Sequence, residues 1–327
     1  MAGRLTTADA IDPSGLSDEL KDYYIGNKEE IHMNMFYDNK WDENFRVIDD
    51  VKDKIPLFNM DLDFEVRPQA NYKAFAGQDD AFKVGNRWLQ TEEMKVDLII
   101  VPQEMARTYA GKYYEKGSNI HDMSFAQFFF SHINSKIVEK MHLEAFYKGV
   151  RDNAGTDTVD TMNGQNKLIV DEIAASTITV TATGAITAAN VIAKLELLCD
   201  AADSNPKYAS IQKQMTVNNQ IFNWYWKARR ETFKDIVNTY EGKISQINEL
   251  PMEGYNVTLV REHGLGVSQR VCITNKSNKV LGFDSMNDWN NIILQPFERV
   301  IKVLIDFKAG FNFATFFDGS VTVNDQT

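Results

Sequence analysis

Residues 124–149 read SFAQFFFSHINSKIVEKMHLEAFYKG, and their spacing organises the rest of the chain. Phe125, Phe129, Ile133, Ile137, Met141 and Ala145 recur every four residues, flanked by Phe128, Val138 and Phe146. That recurrence lays an apolar stripe along one side of an α-helix. Ser124 with Gln127 three places on has the form of a capping box, and Gly149 supplies a stop. At 1.5 Å per residue such a helix is about 38 Å long, the spine of a domain. The second half of the chain is rich in strand patterns, so the layout predicted is α+β.

Upstream of the helix, two segments alternate with period two. In 57–67, Leu62, Phe64 and Val66 oppose Asp61, Asp63, Glu65 and Arg67; in 88–101, Met94, Val96, Leu98 and Ile100 oppose Lys95, Asp97 and Ile99. With the turn-rich stretch 68–87 between them, they predict a long hairpin with a wide tip. A two-stranded hairpin is marginal alone in water, so this one is expected to rest on a partner. Its candidate contact residues are Tyr72, Lys73, Phe75, Asp79, Asp80, Phe82, Lys83 and Trp88, with the aromatics as anchors. Asp61, Asp63 and Glu65 form a charged face suited to salt bridges between subunits, and that face also discourages edge-to-edge aggregation. Residues 1–50 read as a polar arm, turned at Asp12-Pro13-Ser14-Gly15. Its apolar residues, Leu16, Leu20, Tyr23, Tyr24, Met33, Met35 and Phe36, need something else to pack on.

Downstream, 165–183 has β character, strongest in the β-branched run 177–183. Helices are predicted at 188–202 and 219–233, and strands at 214–218, 255–260, 270–274, 279–283 and 291–294. Residues 275–278 read as a hairpin turn. The closing segment, 300–317 then 320–323, is β-rich and predicted to break at Gly310 and Gly319. Lys227, Arg229 and Arg230 make a cation cluster. It is either the solvated face of the 219–233 helix or a contact with an acidic patch of a neighbour or with nucleic acid.

Composition excludes several functions. A net charge of -11 argues against coating nucleic acid through its phosphates. Cys199 and Cys272 stand far apart without other cysteines near them, so they read as small core residues, not as a disulfide framework or zinc ligands. No apolar run matches a signal peptide or a membrane span, so the chain is expected to be made inside a cell and to have no membrane partner. There is no Gly-x-Ser-x-Gly elbow and no phosphate loop; Gly264-Leu-Gly266 lacks the third glycine. Two Glu-x-x-His spacings, Glu29 with His32 and Glu139 with His142, allow a ferritin-like metal enzyme as a lower alternative. That reading needs four long helices, and the sequence has one. No catalytic residue, metal or cofactor is assigned.

The order of arm, hairpin, spine helix, mixed block and closing strands resembles the Hong Kong 97-type capsid fold of tailed-phage major capsid proteins, shared with encapsulins. The step from Gln214-Met-Thr-Val-Asn218 directly into a helix resembles the same family. The resemblance implies an N-terminal arm at 1–50 and an extended loop at 51–104. It implies a peripheral domain from 105–165 and 295–327, with its spine helix at 124–149, and an axial domain at 166–294. It implies a structural virion protein that builds hexamers and pentamers of an icosahedral shell around double-stranded DNA, assembled in the host cytoplasm. Its partners would be further copies of itself, a portal and, by weak non-specific contact, packaged DNA; either a separate scaffolding protein serves as well, or the sequence is the mature form of a chain whose scaffolding segment is cleaved. An encapsulin-type compartment shell is the alternative. Some relatives cross-link a loop lysine to a neighbour, and Lys73 and Lys83 lie in the corresponding region.

Overall fold

The computed structural model describes residues 20–22, 44–62, 82–101, 125–232, 248–284, 292–317 and 319–326. Tyr72, Lys73, Phe75, Asp79, Asp80, Asp63 and Glu65 lie outside the described residues, as do Glu29, Glu30 and His32.

The spine helix forms where the four-residue stripe predicts it. Helix α1 runs Phe125–Lys140, passes through a π turn at Met141–Ala145 and finishes at Phe146–Lys148. Phe130, Ile133, Ile137, Val138 and Met141 are buried. The solvent side carries the ion pairs Lys136–Glu139 at 2.6 Å and Lys140–Glu144 at 2.7 Å, the three- and four-residue spacings that support a helix.

The buried stripe packs on a five-stranded sheet. Its order is β1 (Arg46–Ile48), β10 (Lys279–Phe283), β12 (Val300–Phe313) and β11 (Ile292–Phe297), with β4 (Glu92–Ile100) also paired to β12. The alternation seen in the sequence becomes a ladder of apolar pairs between β12 and β4. Ile301 faces Ile100, Val303 faces Leu98, Ile305 faces Val96 and Phe307 faces Met94. These residues share one core with the helix stripe.

A six-stranded sheet holds the second core. Its order is β5 (Val180–Thr181), β13 (Val321–Asn324), β9 (Cys272–Thr274), β6 (Lys213–Val217), β8 (Val257–Arg261) and β7 (Glu249–Pro251). Helices α3 (Val191–Asp203) and α5 (Asn219–Thr232) cover it, with the short helix α4 (Pro206–Ala209) between them in sequence. Leu195, Leu198, Ile221 and Phe222 pack on Met215, Val217 and Leu259. Asn218 caps α5 by accepting a hydrogen bond from the Ile221 amide at 2.8 Å.

Several expectations are corrected. The segment 88–101 is not one strand. The hairpin pairs β2 (Lys54–Leu62) with β3 (Phe82–Gln90), and the chain then turns at Thr91 into β4 of the main sheet. Thr91 makes the turn because its hydroxyl donates to the Val51 carbonyl at 3.1 Å while its amide donates to Asp53 O at 2.8 Å. Residues 165–174, expected to have β character, form helix α2 (Gln165–Ala174), with Ile169 in the first core. Residues 275–278 are no hairpin turn. β9 belongs to the second sheet and β10 to the first, so the chain changes sheet there. The buried Asn278 side chain fixes that change by donating to Thr274 Oγ1 at 2.9 Å and Thr315 O at 3.0 Å. The chain changes sheet again before β13, which pairs with β9 and β5 in the second sheet. β13, within the 295–327 segment, thus joins the second sheet and not the one that holds β11 and β12.

Gly310 does not break β12; the strand runs through it. The neighbouring chain crosses so closely that a Cβ at Gly310 would sit 2.0 Å from the Gln90 carbonyl oxygen. Gly310→Ala is expected to lower stability by about 1–3 kcal/mol, the usual range for overpacking. A urea midpoint unchanged from the native chain would contradict this crossing. Among the described residues no helix is long and apolar enough to cross a membrane.

Candidate functional site

The hairpin β2–β3 has two faces of opposite character. Register partners point to the same side of a two-stranded ladder, so Leu57 and Leu89 belong to one face and Phe58 and Trp88 to the other. Leu57 and Leu89 are buried against Val51 and Val280. Phe58 is 72% exposed and Trp88 47% exposed. Lys54 Nζ lies 5.5 Å from the centre of the Trp88 ring, adding a cation to this outer face.

Arg87 fastens the inner face. Its guanidinium donates to Glu172 at 2.6 Å, to the Phe313 carbonyl at 3.1 Å and to Asn312 Oδ1 at 3.1 Å. It also lies 4.5 Å from the centre of the Phe316 ring. The hairpin base is thus held by α2 and the end of β12, and its outer face is presented from a fixed platform.

The expected contact residues divide. Trp88 stands on the outer face. Phe82 and Lys83 lie on β3 and Asp61 on β2, with Asp61 and Lys83 direct register partners. Phe58 and Arg87 were not anticipated. The cross-strand register that pairs Pro56 with Trp88 reveals Phe58 as part of the outer face, and no period within one strand contains that information.

Arg229, expected as a solvated or intersubunit charge, is engaged within the chain. It is buried, and donates to the Pro251 carbonyl at 3.1 Å and to Glu253 at 2.5 Å. This guanidinium ties α5 to the β7 edge inside the chain. Arg230, one position on, is exposed.

Two hollows are lined by residues of β4. One, of about 500 Å³, runs between α1 and β4 and is lined by Met94, Val96, Leu98, Ile133, Ile137 and Phe307 among others. The other, of about 1130 Å³, adjoins it and carries Glu93, Asp152, Asp157, Asp160, Asp284 and Asp306 against Lys95, Arg151 and Lys308.

Cys199 and Cys272 are both buried and free, and burial pushes each thiol up to about 12, far from thiolate at neutral pH. Glu139 pairs with Lys136, and His142 faces Glu262 at 3.3 Å, so the Glu139–His142 spacing does not converge on a metal. Among the described residues no cluster of three metal-ligating side chains occurs.

No family model matches the sequence, and no curated protein does. Solved structures do. The chain is similar over 95% of its length to 96% of a chain of the satellite phage P4 procapsid, a structure that includes the size determination protein, with a TM-score of 0.59 at 12% identity. It has the Hong Kong 97-type capsid fold. The capsid fold is matched again in the capsid asymmetric unit of cyanophage A-1(L), covering 91% of this chain and 92% of that one, with a TM-score of 0.55 at 13% identity. A virus-like particle from Pyrococcus furiosus matches over 93% of this chain and 100% of its own, with a TM-score of 0.50 at 8% identity. The capsid fold therefore persists although almost every side chain differs.

Proposed function

We propose that this chain is the major capsid protein of a tailed phage, closing by head-to-tail contacts into hexamers and pentamers of a DNA-filled icosahedral shell. One observation carries the reading. On a chain with the capsid fold, a hairpin anchored on one face by Arg87 turns two large aromatics, Phe58 and Trp88, to solvent on the other. Solitary exposed apolar residues are ordinary, but paired aromatics on a rigid projecting element are the makeup of an interface anchor. The hairpin then serves as the extended loop, which ends where the chain turns at Thr91, with Tyr72, Lys73, Phe75, Asp79, Asp80, Phe82, Lys83 and Trp88 as its contact residues. Asp61, Asp63, Glu65 and Arg230 supply charges between subunits. α1 and the first sheet form the peripheral domain, the second sheet the axial domain, and residues 1–50 an arm. The hollow between α1 and β4, apolar at Met94, Val96, Leu98, Ile133 and Ile137 and bordered by Lys95, Lys136 and Lys140, would seat Phe58 and Trp88 of a second copy. Portal and scaffolding proteins would be further partners, and contact with packaged DNA weak.

Likeness to the Pyrococcus furiosus particle supports a second reading, an encapsulin-type compartment shell. Expression of the full chain, followed by size-exclusion chromatography and negative-stain microscopy, tests the shared part. Closed particles or rings are the expected result, and a monodisperse monomer at all concentrations would refute it. Particles from the native source then separate the two readings: nuclease-protected DNA marks the virion, a folded protein cargo the compartment.

A further inference from the structure

Among the described strands the chain passes between the two sheets three times: from α2 into β5, from β9 into β10, and from β12 into β13. Side-chain bonds tie these passages together at the root of the hairpin. Arg87, on β3, holds two of them. On the first passage it donates to Glu172 at 2.6 Å. Glu172 lies in the last turn of α2, where its carbonyl accepts from the Thr177 amide at 2.9 Å as the helix ends. On the third passage Arg87 donates to Asn312 Oδ1 and to the Phe313 carbonyl, with the Phe316 ring beside its guanidinium. Asn312 Nδ2 returns to the hairpin by donating to the Trp88 carbonyl at 2.8 Å. Asn278 joins the second passage to the third. Its Oδ1 accepts from the Thr315 amide at 2.8 Å, its Nδ2 donates to Thr315 O at 3.0 Å, and its carbonyl accepts from the Ala314 amide at 2.8 Å. Ala314 in turn packs on the cluster that holds Leu57 and Leu89 of the hairpin.

Apolar packing joins the sheets as well, since Ile178, Cys272, Val321 and Val323 belong to the first core. Such packing has no direction of its own and allows packed elements to slide by small amounts. The bonds of a planar guanidinium fix direction, and they are stronger for being charge-assisted. Arg87 and Glu172 keep only 24% and 17% of their side chains exposed, so salt screens the pair little. The angle between the sheets is therefore set where the bonds are directional, and Arg87 places one of those points on the hairpin itself.

We propose that Arg87 couples the direction of the hairpin to the angle between the two sheets, so that turning one turns the other. The same guanidinium grips the helix that leads into β5 and the strand end that leads into β13. Tilting the hairpin pulls on both passages at once, and through Asn278 on the remaining one. By linkage the effect runs both ways: fixing the sheet angle fixes the hairpin. Under the shell reading, a second copy that seats Phe58 and Trp88 thereby sets the sheet angle of the subunit it grips. That consequence rests on the shell, whereas the coupling lies within one chain and stands without it.

Pulsed electron paramagnetic resonance of the full chain carrying pairs of nitroxide labels tests it. Dilution of the labelled chain in excess unlabelled chain restricts the distances read to those within one subunit. Cys199 and Cys272 are buried, so introduced cysteines take the label. Ser135→Cys on α1 with Glu196→Cys on α3 reports the angle between the sheets, and Ser135→Cys with Phe58→Cys reports the hairpin; all three positions are exposed. Arg87→Met is expected to widen both distance distributions about twofold, the freedom of a released hinge. A clasp that merely holds the hairpin would widen the second distribution and leave the first as it was. That result overturns the coupling, as does a folded variant in which neither widens. Should Arg87→Met fail to fold, Glu172→Gln decides in the same way, since it weakens the tie to α2 and leaves the bonds to Asn312 and Phe313 in place.

Discussion

Replacing Phe58 and Trp88 together by serine is expected to leave the subunit folded and to abolish closed particles. Both side chains sit on the face of β2–β3 opposite Leu57 and Leu89, and the contacts of Arg87 are untouched. The melting temperature should therefore move by no more than about 2 °C, as for surface changes away from core features. Assembly should respond very differently. Aromatic anchors at interfaces are worth about 2 kcal/mol or more each. Losing two per subunit weakens each contact by about 4 kcal/mol, roughly a thousandfold. A closed shell repeats the contact at every subunit, so the loss compounds. Negative-stain microscopy beside size-exclusion chromatography reads the outcome. Normal particles from the double variant would sink the assignment of this face to assembly.

Phe45→Ala is expected to be the most damaging single truncation, at about 3–5 kcal/mol, the range for removing a buried aromatic. Phe45 is 1% exposed. Its ring packs on Phe146 at 6.0 Å, Tyr147 at 5.8 Å and Phe311 at 5.8 Å, so it joins the N-terminal segment to both the spine helix and β12. It also covers Lys279 Nζ, and its loss would open a cavity next to an amine that has no hydrogen-bond partner among the described residues. Because domains are stable by only about 5–15 kcal/mol, this removes a large share of the total. Urea unfolding of the subunit measures it. Phe45→Leu, which keeps most of the volume, should lose less than half as much. A loss below about 1 kcal/mol for Phe45→Ala would contradict the packing described.

Local patterns read correctly where one face of an element meets one core. The four-residue stripe of α1 and the alternation of β4 are of this kind, since each side chain's fate follows from its position along one axis. α2 escaped notice because Leu168, Ile169 and Val170 are consecutive, and a run of apolar residues in a short segment fits a strand as well as a helix. The Asn275–Asn278 turn was placed correctly but given the wrong consequence. A turn fixes only a change of direction, and the side-chain bonds of Asn278 determine which sheet receives the next strand. Arg229 and Arg230 look alike in sequence, yet one is a buried strut and the other a surface charge. The difference is set by Glu253 and Pro251, more than twenty residues away.

At the candidate site the division is the same. That a hairpin precedes the spine helix, and that it carries Trp88, was legible in period and composition. Phe58, Arg87 and the burial of Lys279 were not. Periodicity records the environment along one strand or helix, and it determined the α+β layout, the spine helix and the projecting hairpin. Strand partners, cross-strand register and the neutralisation of a buried charge depend on segments far apart in the chain. Those were decided only by the tertiary structure, because backbone hydrogen-bonding edges are alike in every strand and carry no address of their own.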